Sequence, residues 1–111
     1  MSVSFGGFNE NTATFKANEE IVKGTPVKMN GSGVVTACAD GEVFCGIANE
    51  CSGGYASVQL SGAVTVKLSG SVEAGYANLV SDGEGVKSDA EGREYLVVAV
   101  NEAASTVTFI M

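Results

Sequence analysis

Between residues 58 and 68 apolar and polar side chains take turns. Val58, Leu60, Val64, Val66 and Leu68 share one parity with Gly62 among them, while Gln59, Ser61, Ala63, Thr65 and Lys67 take the other. Period-2 alternation marks a strand with one buried face. A glycine inside the pattern marks a bend or bulge, so the stretch predicts one long bent strand or two strands meeting at Gly62. Shorter runs of the same kind predict strands over residues 25–29, 34–38, 43–48, 77–81, 95–100 and 106–111. Between them lie turn-forming runs at residues 30–33, 40–42, 82–85 and 90–92, rich in Gly, Asn, Asp and Glu. Gly, Asn and Asp tolerate positive φ, which tight turns require. Short strands broken by turns every ~8–12 residues predict a sandwich or barrel. The one helical spacing, Ala13, Ala17 and Ile21, offers only a weak apolar face. The pattern therefore predicts an all-β fold, a small β-barrel or β-clip-like domain with little or no helix.

The pattern also repeats. Residues 21–24 (Ile21 to Gly24) align with residues 72–75 (Val72 to Gly75), residues 41–44 with 92–95, and Ile47 and Ala48 with Val98 and Ala99. All three matches share one offset, that from Gly24 to Gly75, and the glycine turns at Gly31/Gly33 and Gly83/Gly85 follow with a one-residue slip. A fixed internal period is the mark of a structural repeat. Two copies are too few for a solenoid, so a single β domain over residues 21–111, with pseudo-repeats at 21–60 and 72–111, is expected. Residues 1–20 fall outside this repeat as an N-terminal arm carrying Val3, Phe5, Phe8 and Phe15 among Gly, Ser, Asn and Thr. So apolar a segment either covers a surface elsewhere or supplies a first strand to the domain's own core.

Composition narrows the function. Thirteen acidic against six basic residues give a net charge of −7, and the acids are spread along both halves. Without a basic stripe, phosphate neutralisation of nucleic acid lacks its driving force, and an anionic membrane surface would repel the chain. The longest uninterrupted apolar run, residues 95–100, is too short to cross a bilayer. The first residues carry no positive n-region and no apolar h-region, so no signal peptide is expected. Cys38, Cys45 and Cys51 then read as reduced thiols serving as small apolar side chains.

The residue types present exclude most site chemistry. There is no His, which removes Ser-His-Asp and Cys-His catalysis and His-ligated zinc. The cysteines lack C-x2-C spacing, and no motif pairs a Ser with a Lys. Counting an EF-hand loop from Asp82 places Val86 at the fifth position and Lys87 at the sixth, where an oxygen ligand and Gly belong. The acids Asp82, Glu84, Asp89 and Glu91 instead read as solvated turn charges. Paired carboxylates could serve a glycosidase, but the chain is short and has no Trp for stacking on sugars. The glycine pairs do not complete G-x-G-x-x-G. No catalytic residue, cofactor site or metal site is expected.

Several runs together resemble a known family: residues 21–29 with Gly24, Pro26 and Val27, then Gly33 to Val35, then Phe44 to Ala48, then residues 56–66. Their order (a glycine before a Pro-Val pair, a glycine turn, Gly-Ile-Ala, then an alternating run through glycine) is similar to that of the capsid cement, or head decoration, proteins of tailed phages. The likeness covers residues 20–70 well and the second half loosely, and its motifs encode turns and strands rather than chemistry. It implies a structural virion protein, not an enzyme, made in the host bacterial cytoplasm and bound to the outside of the capsid. The implied partner is the major capsid protein, and the implied assembly is a homo-oligomer, a trimer by preference. It also implies a capsid-binding role for the arm, with Val3, Phe5 and Phe8 as anchors adding a strand to a capsid edge. Two other readings stay open: another phage structural component, such as a tail-tube or minor head protein, and a small ligand-binding β-barrel, which would need an open interior.

Overall fold

In the computed structural model, which describes residues 11–111, ten strands make two closed sheets. The first sheet holds β1 (Asn11–Ala17), β2 (Pro26–Met29), β3 (Val34–Ala37), β4 (Gly46–Ser52) and β5 (Tyr55–Ser61). The second holds β6 (Ala63–Ser69), β7 (Gly75–Ser81), β8 (Val86–Ser88), β9 (Arg93–Asn101) and β10 (Thr106–Ile110). Strand order is β1-β3-β2-β4-β5 in one and β6-β8-β7-β9-β10 in the other, each closing back on its first strand. The described residues are all-β and contain no helix. Closure gives every strand two neighbours and so removes free sheet edges over most of the chain.

The two barrels share one wiring diagram. Each contains a single parallel pair, β1 with β3 and β6 with β8, at the same spacing: Ala17 beside Val35, Leu68 beside Val86. Each also bulges at the same place, after Ala48 on β4 and after Val97 on β9. The turn leading into the last strand matches as well. Gly54 carbonyl accepts from Ala17 N–H, and Ser105 carbonyl from Leu68 N–H. Gly54 has φ 82°, and Ser105 has φ 54°, the one positive-φ non-glycine among the described residues.

The repeat is therefore longer than the sequence indicated. Its units run from Asn11 to Ser61 and from Ala63 to Ile110. Residues 11–17, assigned to the arm, form β1, which pairs with β5 from Asn11 to Lys16 and with β3 at Lys16 and Ala17. The same pairing replaces the weak helical spacing: Ala17 and Ile21 both enter the first core, one from a strand end and one from the following loop. Val3, Phe5 and Phe8 lie outside the described residues.

Gly62 alone separates the barrels, at φ 94°, a left-handed value that suits glycine and turns the chain sharply between β5 and β6. Gln59, only 5% exposed, spans that corner; its Nε2 donates to the carbonyls of Ser61 (3.1 Å) and Ala63 (2.9 Å). Gln59 is thus buried and Leu60 exposed, the reverse of the alternation read from the sequence. Burial of a glutamine is tolerated here because its amide donors are satisfied by those two carbonyls.

Each barrel has its own core. Ala17, Ile21, Val27, Val35, Ala48, Ala56 and Val58 fill the first. The second contains Val66, Leu68, Leu79, Val86, Tyr95, Val97, Val107 and Phe109, joined by Cys38, Phe44 and Ile47 from the first half. Phe44 stacks on Tyr95 at 5.3 Å between ring centroids and lies 6.1 Å from Phe109. The same turn region adds backbone bonds from Gly41 N–H to the Ser81 carbonyl (2.8 Å) and from Ser81 N–H to the Glu42 carbonyl (2.9 Å), and an Asp40–Lys87 ion pair at 2.7 Å. The first barrel therefore plugs the second, and the two form one body.

Candidate functional surface

The residues that carry the family resemblance set the shape of the first barrel. Val27, Val35 and Val58 are fully buried, as are Phe44, Ile47 and Ala48 to within 2%. Gly46 is required by contact: a Cβ there would stand 2.6 Å from the Gln59 carbonyl oxygen and 2.6 Å from Val58 Cγ1. The interiors of both barrels are occupied by these side chains, so neither offers the open lumen that a ligand-binding barrel needs. The larger concave features lie outside. One is a cleft of about 570 Å³ between the barrels, where Val22, Lys23 and Thr25 face Thr65, Lys67 and Glu84. Lys67 and Glu84 pair there at 3.7 Å, both well exposed.

The cysteines and turn acids have structural surroundings. Cys38 sits in the shared core and burial pushes its thiol up to about 12. Burial raises Cys45 as well, and Cys51 donates to the Glu19 carbonyl at 3.8 Å. All three are free, and no group of three potential ligands is placed to hold a metal among the described residues. Asp82 accepts from Ser69 Oγ and from the backbone N–H of Glu84 and Gly85, and Asp89 accepts from Glu91 N–H. Both are turn-forming carboxylates whose acceptors are used locally. Glu42 ties its own turn together through Ala39 N–H and the Lys28 ammonium.

What remains for recognition is the surface. Among the described residues, Val22 (74% exposed) and Tyr76 (73%) are the most open large apolar residues, followed by Tyr55 (57%). Tyr76 belongs to a row. Cross-strand register places Tyr76 of β7 beside Leu96 of β9, Leu96 beside Ile110 of β10, and Ile110 beside Ala63 of β6. Tyr76, Leu96 and Ile110 face outward from the second barrel, opposite in parity to the core residues Tyr95, Val97 and Phe109, while Ala63 at the end of the row is buried. The corresponding row on the first barrel is Pro26 of β2, Ile47 of β4, Gln59 of β5 and Thr12 of β1. There the first three are buried, and Ile47 enters the second barrel's core while its neighbour Ala48 enters the first. The row on the second barrel went unread in the sequence, although its signal was present. A half-buried strand should be apolar on one face only, yet residues 95–100 are apolar on both.

A tandem of two closed five-stranded barrels, one docked into the other, is the class that the fold defines. No family model, curated protein or solved structure matches the chain.

Proposed function

We propose that this chain is a structural virion protein that binds the outer surface of a phage head and stabilises the assembled shell, with the major capsid protein as its partner. The observation that carries the reading is where the resemblance falls. Gly24, Pro26, Gly33, Gly46 and the run through Gly62 are the turns, close approaches and corner that determine the first barrel. The likeness is thus to a set of positions that specify a shape, rather than to scattered small residues. A rigid body of this kind works by contact, and a ligand that binds the assembled shell more tightly than its open form stabilises it by mass action. Symmetry repeats each contact, so every copy need contribute only a few kcal/mol.

The anchors in this reading are Val3, Phe5 and Phe8. The segment that carries them joins the body at Asn11, whose Nδ2 donates to Ser61 Oγ at 3.0 Å, one residue from the Gly62 corner. That placement limits the test. Removal of residues 2–8 spares β1, whereas a deletion reaching into residues 11–17 would take a strand from the barrel. Expanded phage heads assembled from a candidate major capsid protein should co-sediment with the intact protein and not with the residue 2–8 deletion, while far-UV circular dichroism of the two stays the same. Equal binding by the shortened protein would remove the anchoring role, and no binding by either would remove the decoration reading.

A further inference from the structure

We infer that Asn30 is a site of spontaneous covalent modification, where the Gly31 backbone nitrogen closes a succinimide ring on the Asn30 side chain and releases ammonia. The two residues lie in the exposed turn between β2 and β3. Ring closure needs a side-chain amide that can swing toward the chain, a following backbone N–H not engaged elsewhere, and no side chain on that following residue to obstruct the approach. The Asn30 side chain has no hydrogen-bond partner among the described residues. The turn is held by Asn30 N–H donating to the Val34 carbonyl (2.7 Å) and Val34 N–H donating to the Gly31 carbonyl (3.3 Å), and neither bond uses the Gly31 N–H. Every other asparagine among the described residues is followed by Thr, Glu or Leu, whose side chains crowd the attacking nitrogen.

Two other pairs of the same reactive kind, Asp40-Gly41 and Asp82-Gly83, are protected by their surroundings. Gly41 N–H donates to the Ser81 carbonyl at 2.8 Å while the Asp40 carboxylate pairs with Lys87. Gly83 N–H donates to Ser81 Oγ at 3.0 Å while the Asp82 oxygens accept from Ser69, Glu84 and Gly85. In both pairs the nucleophile and the electrophile are each committed to another group, and at Asn30 neither is. The reaction balances with water alone. The Gly31 nitrogen gives up its proton and bonds to Asn30 Cγ; the Cγ–Nδ2 bond breaks, and Nδ2 leaves with that proton as ammonia. Water then opens the ring. Cleavage between the nitrogen and Cγ leaves aspartate, whereas cleavage between the nitrogen and the Asn30 main-chain carbonyl carbon leaves isoaspartate, with Gly31 attached through Cγ. Nothing is oxidised or reduced. Either product adds a negative charge to the turn. Isoaspartate also lengthens the main chain there, disturbing the register of β2 against β3, the strands that carry Val27 and Val35 into the first core.

The test needs no partner, so its failure is separate from that of the decoration reading. Folded and guanidinium-unfolded samples of the full chain are held at mildly alkaline pH in heavy-oxygen water and followed by peptide mass spectrometry, with aspartate and isoaspartate forms separated by chromatography. In the folded protein the peptide containing Asn30 should gain about three mass units, against about one in ordinary water, and appear as both isomers. Its rate should lie within about tenfold of the unfolded chain's, while folding slows isoaspartate formation at Asp40 and Asp82 at least about tenfold more than the reaction at Asn30. Gly31→Ala should slow the reaction at least about tenfold. Because Gly31 has φ 148°, that variant is also compared in guanidinium, where the geometry of the turn no longer enters. Asn30 intact in the folded protein but reactive in the unfolded chain overturns the inference. So does a product that is aspartate alone, the mark of direct hydrolysis without the ring, or equal slowing by folding at all three sites.

Discussion

Replacing Phe44 by alanine probes the one aromatic side chain that, among the described residues, the first half sends into the second barrel. Phe44 is 1% exposed, stacked on Tyr95 with an interplanar angle of 9° and tilted against Phe109. Truncating a buried Phe costs about 3–5 kcal/mol through lost transfer free energy and the cavity left behind. The upper part of that range is expected, because the pocket is walled by two other rings and by the closed sheet of the second barrel, which cannot easily collapse. A domain of 111 residues has an unfolding entropy near 0.23 kcal/mol/K, so a loss of about 4–5 kcal/mol corresponds to a fall in Tm of roughly 17–22 °C. Measured against a total stability of about 5–15 kcal/mol, this is a large fraction. Urea unfolding followed by far-UV circular dichroism and by tyrosine fluorescence gives the value. Phe44→Leu should lose less, about 1–1.5 kcal/mol, since it keeps most of the apolar volume. A cycle pairing Phe44→Ala with Tyr95→Leu should show a coupling of about 0.5–1.5 kcal/mol. A loss below about 1.5 kcal/mol for Phe44→Ala would refute the claim that this ring holds the two barrels together.

Two further outcomes follow from local geometry. Ser105→Gly should stabilise the protein by about 0.5–1 kcal/mol in the same urea assay, because Ser105 holds a left-handed φ that its counterpart Gly54 adopts freely; Gly54→Ala should destabilise it by a similar amount. For Asp82, burial pushes the carboxyl upward but is outweighed by hydrogen bonds from Ser69, Gly85 and Glu84 and by the Lys87 charge, which hold it below its ordinary 3.8. Its folded value is depressed, so its contribution is present above pH ~4 and lost as pH falls through the folded value. Stability measured between about pH 5 and 2 should fall less steeply in Asp82→Asn, and an unchanged slope would show that the Asp82 turn contributes nothing to acid unfolding.

Much of the body was legible from alternation and glycine turns. Strands β2, β3, β7 and β10 fall within a residue or two of the runs that predicted them, and the break at Gly62 separates β5 from β6. Three features escaped for distinct reasons. β1 carries Asn, Thr and Lys on its exposed positions and only small or part-buried side chains on the other, so no contrast marks its faces. β8 has three residues between two turns, too few for a period to register. Gln59 and Leu60 exchange their expected places because at the Gly62 corner the Gln59 amide donates to the carbonyls of Ser61 and Ala63 and the neighbouring barrel covers one outer face, both of which are tertiary facts. The offset between the halves holds for β1/β6, β3/β8 and β5/β10 and starts earlier than the sequence indicated, since β1 and β6 share few residue types beyond Thr14/Thr65 and Lys16/Lys67; on β4 and β9 the register instead matches Ile47 and Ala48 with Leu96 and Val97, not with Val98 and Ala99. Of the candidate surface, the sequence exposed the doubly apolar run at residues 95–100 but not which face it would leave open; that needed the register with Tyr76 and Ile110.

The corner at Gly62 has a mechanical consequence. A single residue spans at most about 3.6 Å, and here the Gln59 amide bridges the carbonyls on either side of it. The Phe44 plug and the Asp40–Lys87 pair form a second connection well away in sequence. Two separate attachments between two bodies remove the hinge that one alone would permit. A pull on either barrel is shared by covalent chain and packed core together, so the pair transmits torque as a stiff bar rather than bending at its waist.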